Sequence, residues 1–455
     1  MSSTTPATQP GTAETTRPTW VRWHIVALLV SYSFMTWFNR VSMSVAYDEQ
    51  IKAQTGITPE AMGYVYSAFL FAYMVCMTPG GWLIDRFGPW VALVVMGFGS
   101  ALFGALTGAA GLPALAAAGT VLPALLLVRW VMGMLTAPVY PASSRVVSWW
   151  VPASSRTWAN GLVQGAAAVG IACTFPIFGW LMDMLGWQKS FVVTGAFTAL
   201  LALAWTIYGA NRPAEHRSVN ERERRWIEAA TPRAAKPENV DESRWEVLLN
   251  RRLMLLTLSY AAIGYVEYLF FFWMHYYFEQ VLELGTDESR LYAAVLLLAM
   301  AGGMVLGGWA ADRGSRGDGS LRGRALVCVV GSCAGAVLLV LGLLAQDTVL
   351  IVILLSLALA AVGACEAPVW TTAVELGGEH GGTAAGVCNT GGNAGGLIAP
   401  ILTPLVSGWI AVQWDLSEKT GWQLGISLGS LIAVLGAVLW YWITPSRRTG
   451  AGASD

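Results

Sequence analysis

Three short segments of this 455-residue chain recur about 227–230 residues later, inside apolar stretches long enough to cross a membrane. The recurring pairs are 80–86 (GGWLIDR) with 307–313 (GGWAADR), 137–140 (APVY) with 367–370 (APVW), and 31–32 (SY) with 259–260 (SY). Repetition at nearly one offset indicates two halves that share one ancestral fold. The chain can therefore fold only as a duplicated structure embedded in lipid.

The composition supports a membrane protein. Hydrophobic residues make up 55% of the chain and charged residues 12%, against about 25% charged residues in an average soluble domain. The net charge of −1 gives no basis for nucleic-acid binding. The six cysteines lie in apolar segments without the spacing of a metal site, so no metal and no cofactor is expected. No nucleophile or nucleotide motif suggests an enzyme.

The hydrophobic pattern predicts an all-α membrane protein with twelve transmembrane helices in two pseudo-symmetric six-helix halves. A span needs about 20 apolar residues to cross a hydrocarbon core of about 30 Å. The predicted spans are 23–45, 60–83, 89–110, 120–143, 157–182, 187–209, 253–280, 290–311, 324–345, 348–374, 382–410 and 421–443. The halves are then 20–209 and 253–445, joined by a cytoplasmic linker at 210–252 and flanked by tails at 1–19 (disordered) and 446–455.

The distribution of basic residues sets the orientation. Of the 27 lysines and arginines, only Lys52, Lys189, Arg290 and Lys419 fall in the predicted outer loops or at the outer ends of the adjoining spans. Basic residues concentrate on the cytoplasmic side of membrane proteins, so both termini are predicted to be cytoplasmic. In the linker, Asn220 followed by acidic residues predicts the start of a short surface helix.

Duplicated membrane halves are typical of secondary transporters, whose site lies where the halves meet. Away from the ends of the predicted spans, the charged residues inside them are Arg40, Arg129, Glu267 and Glu366. A charge at membrane depth costs at least a few kcal/mol, so it normally faces a cavity and a partner. The guanidinium fork matches a carboxylate, which suggests that Arg40 and Arg129 bind a small organic anion.

Other side chains are candidates for lining the same cavity. We predict substrate contacts for Trp37, Tyr73, Gln164, Thr372, Asn389 and Asn393. Each polar member of this set has an alternative role as an interhelical hydrogen bond. Arg40 also has an alternative role, which is a structural ion pair with an intramembrane glutamate.

The segment 81–88, with the pattern Gly-x-Leu-x-Asp-Arg-Phe-Gly, resembles the signature loop of the major facilitator superfamily, and 308–313 is a weaker second copy. The resemblance implies a latch on the cytoplasmic side. Asp85, Arg86, Asp312 and Arg313 are therefore predicted gating residues. An aspartate at a helix end can accept hydrogen bonds from a neighbouring helix terminus.

A narrower resemblance covers residues 20–445. The segments 38–46 (FNRVSMSVA), 67–69 with Tyr73, 129–138, 149–152 and 382–396 are similar to the anion:cation symporter family, which includes sugar-acid carriers and the vesicular glutamate transporters. The resemblance implies transport of organic anions, often with protons. It also implies that Arg40, Tyr73, Thr372 and Asn393 contact the substrate.

The proposed family pattern differs at two positions that matter for coupling. Members generally carry an aspartate at the position of Asn39 and a glutamate at the position of Thr136, and neither residue here can ionise. Glu267 and Glu366 occupy the mirror positions in the second half, so they are the predicted proton carriers. The alternative is that each neutralises Arg40 or Arg129.

Together these features predict a secondary active transporter of a small carboxylate such as a sugar acid, coupled to protons and working by alternating access. We expect a functional monomer, multi-pass in the lipid bilayer of a bacterial inner membrane. Two alternatives stay open. One is a proton-independent anion facilitator or exchanger, and the other is a non-transporting membrane receptor that keeps a binding cleft.

Overall fold

The computed structural model describes residues 17–229, 249–315 and 321–444, and this part of the chain is helical with no β-strand. The predicted tails fall outside the described residues except for 17–19, and so does 230–248 of the predicted linker. The repeated halves are both present as helical bundles.

The first half consists of seven helices of at least 12 residues, joined by short helical turns. They are α1 (Val21–Ala46), α2 (Pro59–Phe87), α3 (Pro89–Ala109), α4 (Val121–Thr136), α5 (Val139–Trp150), α6 (Arg156–Leu185) and α7 (Trp187–Tyr208). The turns are Tyr47–Ile51, Lys52–Thr55, Pro113–Ala117 and Ala153–Ser155. Pro213–Glu215 and the linker helix α8 (Glu221–Ala229) follow.

The second half repeats this arrangement. Its helices are α9 (Arg251–Tyr276), α10 (Thr286–Gly314), α11 (Leu321–Leu344), α12 (Thr348–Gly363), α13 (Glu366–Gly377), α14 (Gly381–Gln413) and α15 (Glu418–Ile443), with turns at Tyr277–Val281 and Gly378–His380. In the described ranges, ten segments are long and apolar enough to cross a membrane. The stretch 348–413, which contains α12, α13 and α14, counts as one of the ten, and α1, which carries Arg22, His24, Asn39 and Arg40, is not among them. The protein is an integral, multi-pass membrane protein.

Two predicted spans are broken. The span predicted at 120–143 is formed by α4 and α5, and the one at 348–374 by α12 and α13. The first break, at 137–138, contains Pro138, and the second, at 364–365, lies just before Pro368. A proline lacks the N–H that continues a helix. Because each break lies in or just before a recurring APV segment, the repeat preserves a local irregularity as well as the helices.

Glycines in α6 and α14 let neighbouring backbones approach closely. A Cβ on Gly264 would meet the backbone of Gly392, and one on Gly395 would overlap the carbonyl oxygen of Ala261. Helices in lipid associate through such small residues because packing, not hydrophobic burial, holds them together. The contact between α9 and α14 in the second half therefore depends on glycine.

Gly395→Val is expected to destabilise the protein by roughly 3 kcal/mol or more, since the added side chain cannot fit beside Ala261 without moving α9. Gly408→Val in the same helix is the matched control, because nothing lies within 4 Å of a Cβ added there. Thermal unfolding of the purified variants checks the prediction. Equal melting temperatures for the two variants would show that this helix contact tolerates a side chain.

The linker helix α8 is attached to the start of α1. Asn220 accepts from the backbone N–H of Glu223 at 2.9 Å, so the short helix predicted from Asn220 is confirmed. Glu223 forms a buried ion pair with Arg22 at 2.8 Å, and the Arg22 guanidinium stacks on Trp226 at 4.1 Å. The described end of the linker is therefore fixed to the first half.

Candidate functional site

A cavity of about 70 Å³ lies between the two halves, enclosed by α1, α2, α5 and α6 on one side and α9, α10, α13 and α14 on the other. Most of the residues predicted to bind substrate or protons line it: Trp37, Arg40, Tyr73, Gln164, Glu267, Glu366, Asn389 and Asn393. The cavity therefore combines one arginine, two acids and several amide and phenol groups in an apolar wall.

Arg40 is held by aromatic rings. Its guanidinium carbon lies 4.3 Å from the ring centre of Trp37, 5.4 Å from that of Phe69 and 5.6 Å from that of Tyr73. Within the described residues no carboxylate forms an ion pair with Arg40. Stacking on ring faces leaves the N–H edge of a guanidinium available to an anion. The structural ion pair considered as an alternative for Arg40 is not formed.

Glu267 of α9 and Glu366 of α13 lie together in the cavity wall. Oε2 of Glu366 accepts hydrogen bonds from the Tyr260 hydroxyl at 2.9 Å and from the Trp370 indole at 3.1 Å. Glu267 lines the same cavity, and the Oε1 atom of each glutamate is buried without a hydrogen-bond partner among the described residues. The two acids form one carboxyl pair rather than two ion pairs with arginines.

Arg129 and Thr372, both predicted to contact substrate, are not brought to the cavity. Arg129 is 3% exposed and lies among α1, α4 and α7, where its Nη1 donates to the carbonyl oxygen of Asn39 at 3.2 Å and its guanidinium stacks on Phe191. Thr372 is fully buried in α13. Arg129 and Thr372 do not reach the cavity because each lies on a face of its helix that is packed against other helices.

The positions at which the resemblance implies acids lie in the same region as Arg129. The Asn39 amide donates to the Thr198 hydroxyl at 2.9 Å, and the Thr136 hydroxyl donates back to the carbonyl oxygen of Met132 at 2.9 Å. Neither residue lines the cavity. The mirror positions Glu267 and Glu366 do line it, so the two halves are not equivalent at the site.

Amide groups of α14 form a polar patch opposite the first half. The Asn393 amide donates to Oδ1 of Asn389 at 3.1 Å, and the Tyr268 hydroxyl donates to Oδ1 of Asn393 at 3.3 Å. In the described part of the chain, the buried Nδ2 of Asn389 has no hydrogen-bond partner. It is a donor that a ligand oxygen can use.

Two aromatic residues of the site were not predicted as ligands. Tyr140 and Trp370 line the cavity with ring centres 5.7 Å apart, and the Tyr140 hydroxyl accepts from the Trp37 indole. They are the fourth residues of the recurring APVY and APVW segments. The repeat itself was the signal, since equivalent positions in two halves meet near the axis that relates them.

On the side of the bundle that the sequence predicts to be cytoplasmic, the halves are joined by two equivalent contacts. Asp85 of α2 accepts from the backbone N–H groups of Gly382 and Thr383 at 2.8 and 2.7 Å, at the start of α14. Asp312 of α10 accepts from the N–H groups of Thr157 and Trp158 at 3.1 and 2.8 Å, at the start of α6. A carboxylate is favoured at a helix N-terminus, where N–H groups are unpaired.

The two predicted arginines beside these aspartates have a different arrangement. Arg86 stacks on Trp82 and Phe87 of its own helix, and Arg313 stacks on Trp309. Neither forms an ion pair across the halves among the described residues. Besides the predicted Asp85 and Asp312, the contact between the halves is made by residues that were not predicted.

Arg145 and Glu375 occupy equivalent repeat positions and connect the halves on the same side as Asp85 and Asp312. Arg145 donates to the carbonyl oxygens of Gly378 and Glu379 at 2.6 Å each and lies 3.9 Å from Asp85. Glu375 pairs with Arg324 at 2.6 Å within its own half and with Arg156 of the first half at 3.6 Å. The halves are therefore closed against each other on this side of the structure.

Residues 29–400 match the Major Facilitator Superfamily, and the chain belongs to that family. It is 31% identical over 405 residues to the probable galactarate/D-glucarate transporter GudP of Bacillus subtilis, covering 87% of this chain and 86% of the relative. It is 28% identical to the probable sulfoacetate transporter SauU of Cupriavidus necator over 92% and 93% of the two chains. The family and these relatives are transporters and not enzymes, as the sequence predicted.

Solved structures show the same fold. The fucose:proton symporter FucP of Escherichia coli superposes with a TM-score of 0.65 at 15% identity, covering 94% of this chain and all of that one. The proton:xylose symporter XylE superposes with a TM-score of 0.65 at 13% identity. The all-helical fold predicted from the sequence is therefore confirmed as that of the superfamily.

Proposed function

We propose that the protein is a secondary active transporter of a small organic anion, driven by protons and working by alternating access. One observation carries the proposal: a cavity between the halves contains an arginine without a carboxylate partner among the described residues, together with a carboxyl pair that can exchange a proton. The arginine can bind an organic anion, and the carboxyl pair can couple transport to protons.

Arg40 is the proposed anion-binding group. Its N–H edge supplies two parallel donors, and the Nδ2 group of Asn389 supplies a third in the same cavity. Galactarate, D-glucarate and sulfoacetate, the compounds in the names of the relatives, all carry carboxylate or sulfonate groups. These names support an organic anion as the substrate. Arg129 contributes positive charge from behind the wall instead of a direct contact.

The proposed proton carriers are Glu267 and Glu366. In the first half, the positions to which the resemblance assigns acids are Asn39 and Thr136, which hold no titratable proton in the usual pH range. The acid pair supplies that chemistry from the second half. Buried carboxyl groups beside a substrate can couple substrate binding to protonation. A bound anion adds negative charge to the site, and this favours the protonated form of a nearby carboxyl group.

The proposed topology has twelve crossings, with α4 and α5 forming one crossing and α12 and α13 another, and α1 forming the first. Both termini then lie in the cytoplasm of a bacterial cell and the protein works as a monomer in the inner membrane. Asp85 and Asp312 hold the cytoplasmic face closed, and release of both contacts opens it. Once the contacts of Asp85 and Asp312 are broken, the two halves can rotate against each other as rigid bodies.

Asp85→Asn is expected to slow transport about fivefold while leaving substrate affinity within about twofold. The reason is that the variant loses roughly 1 kcal/mol of charge-dipole attraction at the start of α14, far from the cavity. Asp347→Asn, an N-cap of α12 that accepts from Leu350 N–H, is the control. Paired binding and uptake assays check the prediction. Equal loss of binding and transport, or no loss of either, contradicts the proposed latch.

The proposed function is tested by a thermal-shift screen with galactarate, D-glucarate, D-galactonate and sulfoacetate, followed by counterflow in proteoliposomes. An anion that binds should stabilise the folded protein by mass action. Uptake that rises with an inward proton gradient supports the proposal. Uptake indifferent to the gradient would instead favour the facilitator or exchanger, for which the loss of acids at Asn39 and Thr136 is the supporting observation. Binding without counterflow would indicate a receptor.

A further inference from the structure

We propose that a lateral groove between the two halves binds the acyl chain of a membrane phospholipid, and that the bound chain favours the arrangement of the halves seen in this structure. The groove has a volume of about 1020 Å³ and is formed by α1, α6 and α7 of the first half and by α10 of the second half. None of the described residues that line it also lines the central cavity. The inference goes beyond the proposed function and does not depend on the substrate.

The lining of the groove is almost entirely apolar. Among the described residues that line it none is charged, and two carry a hydroxyl group. The Ser31 hydroxyl donates to the carbonyl oxygen of Ala27 at 2.9 Å, and the Thr194 hydroxyl donates to that of Phe191 at 3.2 Å, each within its own helix. An ordered water needs two to four polar partners, and two engaged hydroxyl groups cannot supply them throughout a space of this size. The ligand of the groove is therefore hydrocarbon.

The groove is open to the bilayer, and this identifies the source of the hydrocarbon. The helices α6, α7 and α10 belong to segments that are long and apolar enough to cross a membrane. Large apolar side chains of the lining are exposed at its edges: Ile177 by 44%, Phe197 by 60% and Leu306 by 64%. The lining on α6 extends from Leu162 to Leu181, about 28 Å along the helix axis. The whole hydrocarbon core is about 30 Å thick, so the groove can enclose a complete acyl chain from one leaflet.

The groove lies beside the contact between α6 and α10, which joins the halves. Near the start of α6 the two helices are in backbone contact, because a Cβ added to Gly308 or to Gly161 would lie 2.4 or 2.5 Å from a carbonyl oxygen of the other helix. The approach loosens at Gly165, which lines the groove, where the corresponding distance to the carbonyl oxygen of Ala301 is 3.1 Å. The groove therefore adjoins the place where helices of the two halves begin to separate.

A chain in the groove contacts both halves at once. A rotation of the halves changes the position of α10 relative to α1, α6 and α7, and with it the width of the groove. A ligand shifts a conformational equilibrium toward the state that binds it better. The acyl chain is therefore expected to stabilise the present arrangement, in which the contacts of Asp85 and Asp312 are closed.

Photo-cross-linking of the full chain in lipid nanodiscs is the first test. The probe is a phospholipid with a diazirine on its palmitoyl chain, and the labelled positions are read by peptide mapping. Labelling of the groove segments 162–181 and 301–306 is expected to exceed that of the exposed residues Leu431 and Leu435 of α15 by at least about fivefold, because a chain enclosed by four helices buries more apolar surface than one lying against a single helix. Even labelling of all lipid-facing helices would show general bilayer contact only and would overturn the proposal.

The headgroup is a second variable in the same assay. Because the described lining carries no charge, the phosphate lies outside the groove. Probes with phosphatidylethanolamine and phosphatidylglycerol headgroups on the same chain are expected to label the groove equally, within about twofold. A strong preference for either headgroup would contradict recognition through the chain.

Two blocking variants test the position of the chain. Gly302 lines the groove, and nothing lies within 4 Å of a Cβ added to it, so the indole of Gly302→Trp occupies the space of the chain. Labelling of 162–181 is expected to fall at least about fivefold, since the chain loses its apolar contacts there. Gly408→Trp, at an equally open position of α14 outside the groove, is the matched control. Ser31→Trp fills the groove from α1 and provides a second variant if the first does not fold. Unchanged labelling in a folded blocking variant would overturn the proposal.

Amide hydrogen exchange tests the effect of the chain on the halves. The N–H groups of Gly382 and Thr383 donate to Asp85, so their exchange reports opening of that contact. Phospholipid added to delipidated protein in detergent is expected to slow this exchange at least about threefold in the wild type and in Gly408→Trp, by linkage between the groove and the contact. Gly302→Trp should show no response to phospholipid. Exchange in the wild type that does not change on addition of phospholipid would contradict stabilisation of this arrangement by the chain.

Discussion

Glu366→Gln is expected to abolish accumulation of substrate against its gradient while leaving exchange of labelled for unlabelled substrate in place. Glu366 is the member of the pair that accepts hydrogen bonds from Tyr260 and Trp370, and such bonds favour the ionised carboxylate that can take up a proton. A glutamine cannot accept that proton. Exchange does not require an empty carrier to return, so it survives the loss of coupling. We expect the substrate to reach only equal concentrations inside and outside, because the proton gradient no longer drives its uptake.

Paired assays on the same proteoliposomes check this result, with Glu418→Gln as the charge-matched control outside the cavity. Accumulation measures coupling, and exchange measures whether the substrate site still binds and moves its ligand. If the variant loses both activities to the same extent, Glu366 is a structural or substrate-binding residue. If it keeps accumulation, the proton is carried elsewhere.

Arg40→Lys is expected to weaken substrate binding by at least about tenfold, with normal folding. Lysine keeps the positive charge but loses the planar fork and the stacking on Trp37, Phe69 and Tyr73. A point charge replaces two parallel hydrogen bonds to one carboxylate, a loss of about 1.5–3 kcal/mol. The loss should be seen in affinity and in uptake together, because the same group binds the anion in both assays.

Arg251→Lys on the exposed first turn of α9 controls for the substitution itself. Binding is measured by thermal shift against the anion that the screen identifies, and folding by size-exclusion chromatography. An Arg40→Lys variant that binds this anion as tightly as the wild type would rule out bidentate recognition by Arg40.

The sequence predicted the fold and most of the cavity because both depend on patterns that a repeat makes visible. Apolar segments of membrane length indicate helices, and the two copies of the GGW and APV segments fix how the halves correspond. Arg40, Glu267 and Glu366 could be selected because a charge inside a span is costly and normally faces a cavity or a partner. Their presence along one cavity was then a consequence of the fold.

Features that depend on the rotation of one helix against another could not be predicted. Arg129 and Thr372 satisfy the same polarity argument as Arg40, yet the faces that carry them are packed between helices. Glu267 and Glu366 are 99 positions apart on helices whose crossing brings the carboxyl groups together. The repeat indicated that Glu267 and Glu366 are equivalent to Asn39 and Thr136 of the first half. It did not indicate that Asn39 and Thr136 would be packed between helices and would not line the cavity.

Proton movement caused by the substrate itself tests the central claim most directly. Proteoliposomes containing the wild-type protein and a trapped pH-sensitive dye are given an inward gradient of the anion identified by the screen, with no initial pH gradient. The account predicts acidification of the interior that depends on the anion and is absent with Glu366→Gln. Entry of the anion at the same rate with no change in internal pH would contradict proton coupling through the carboxyl pair.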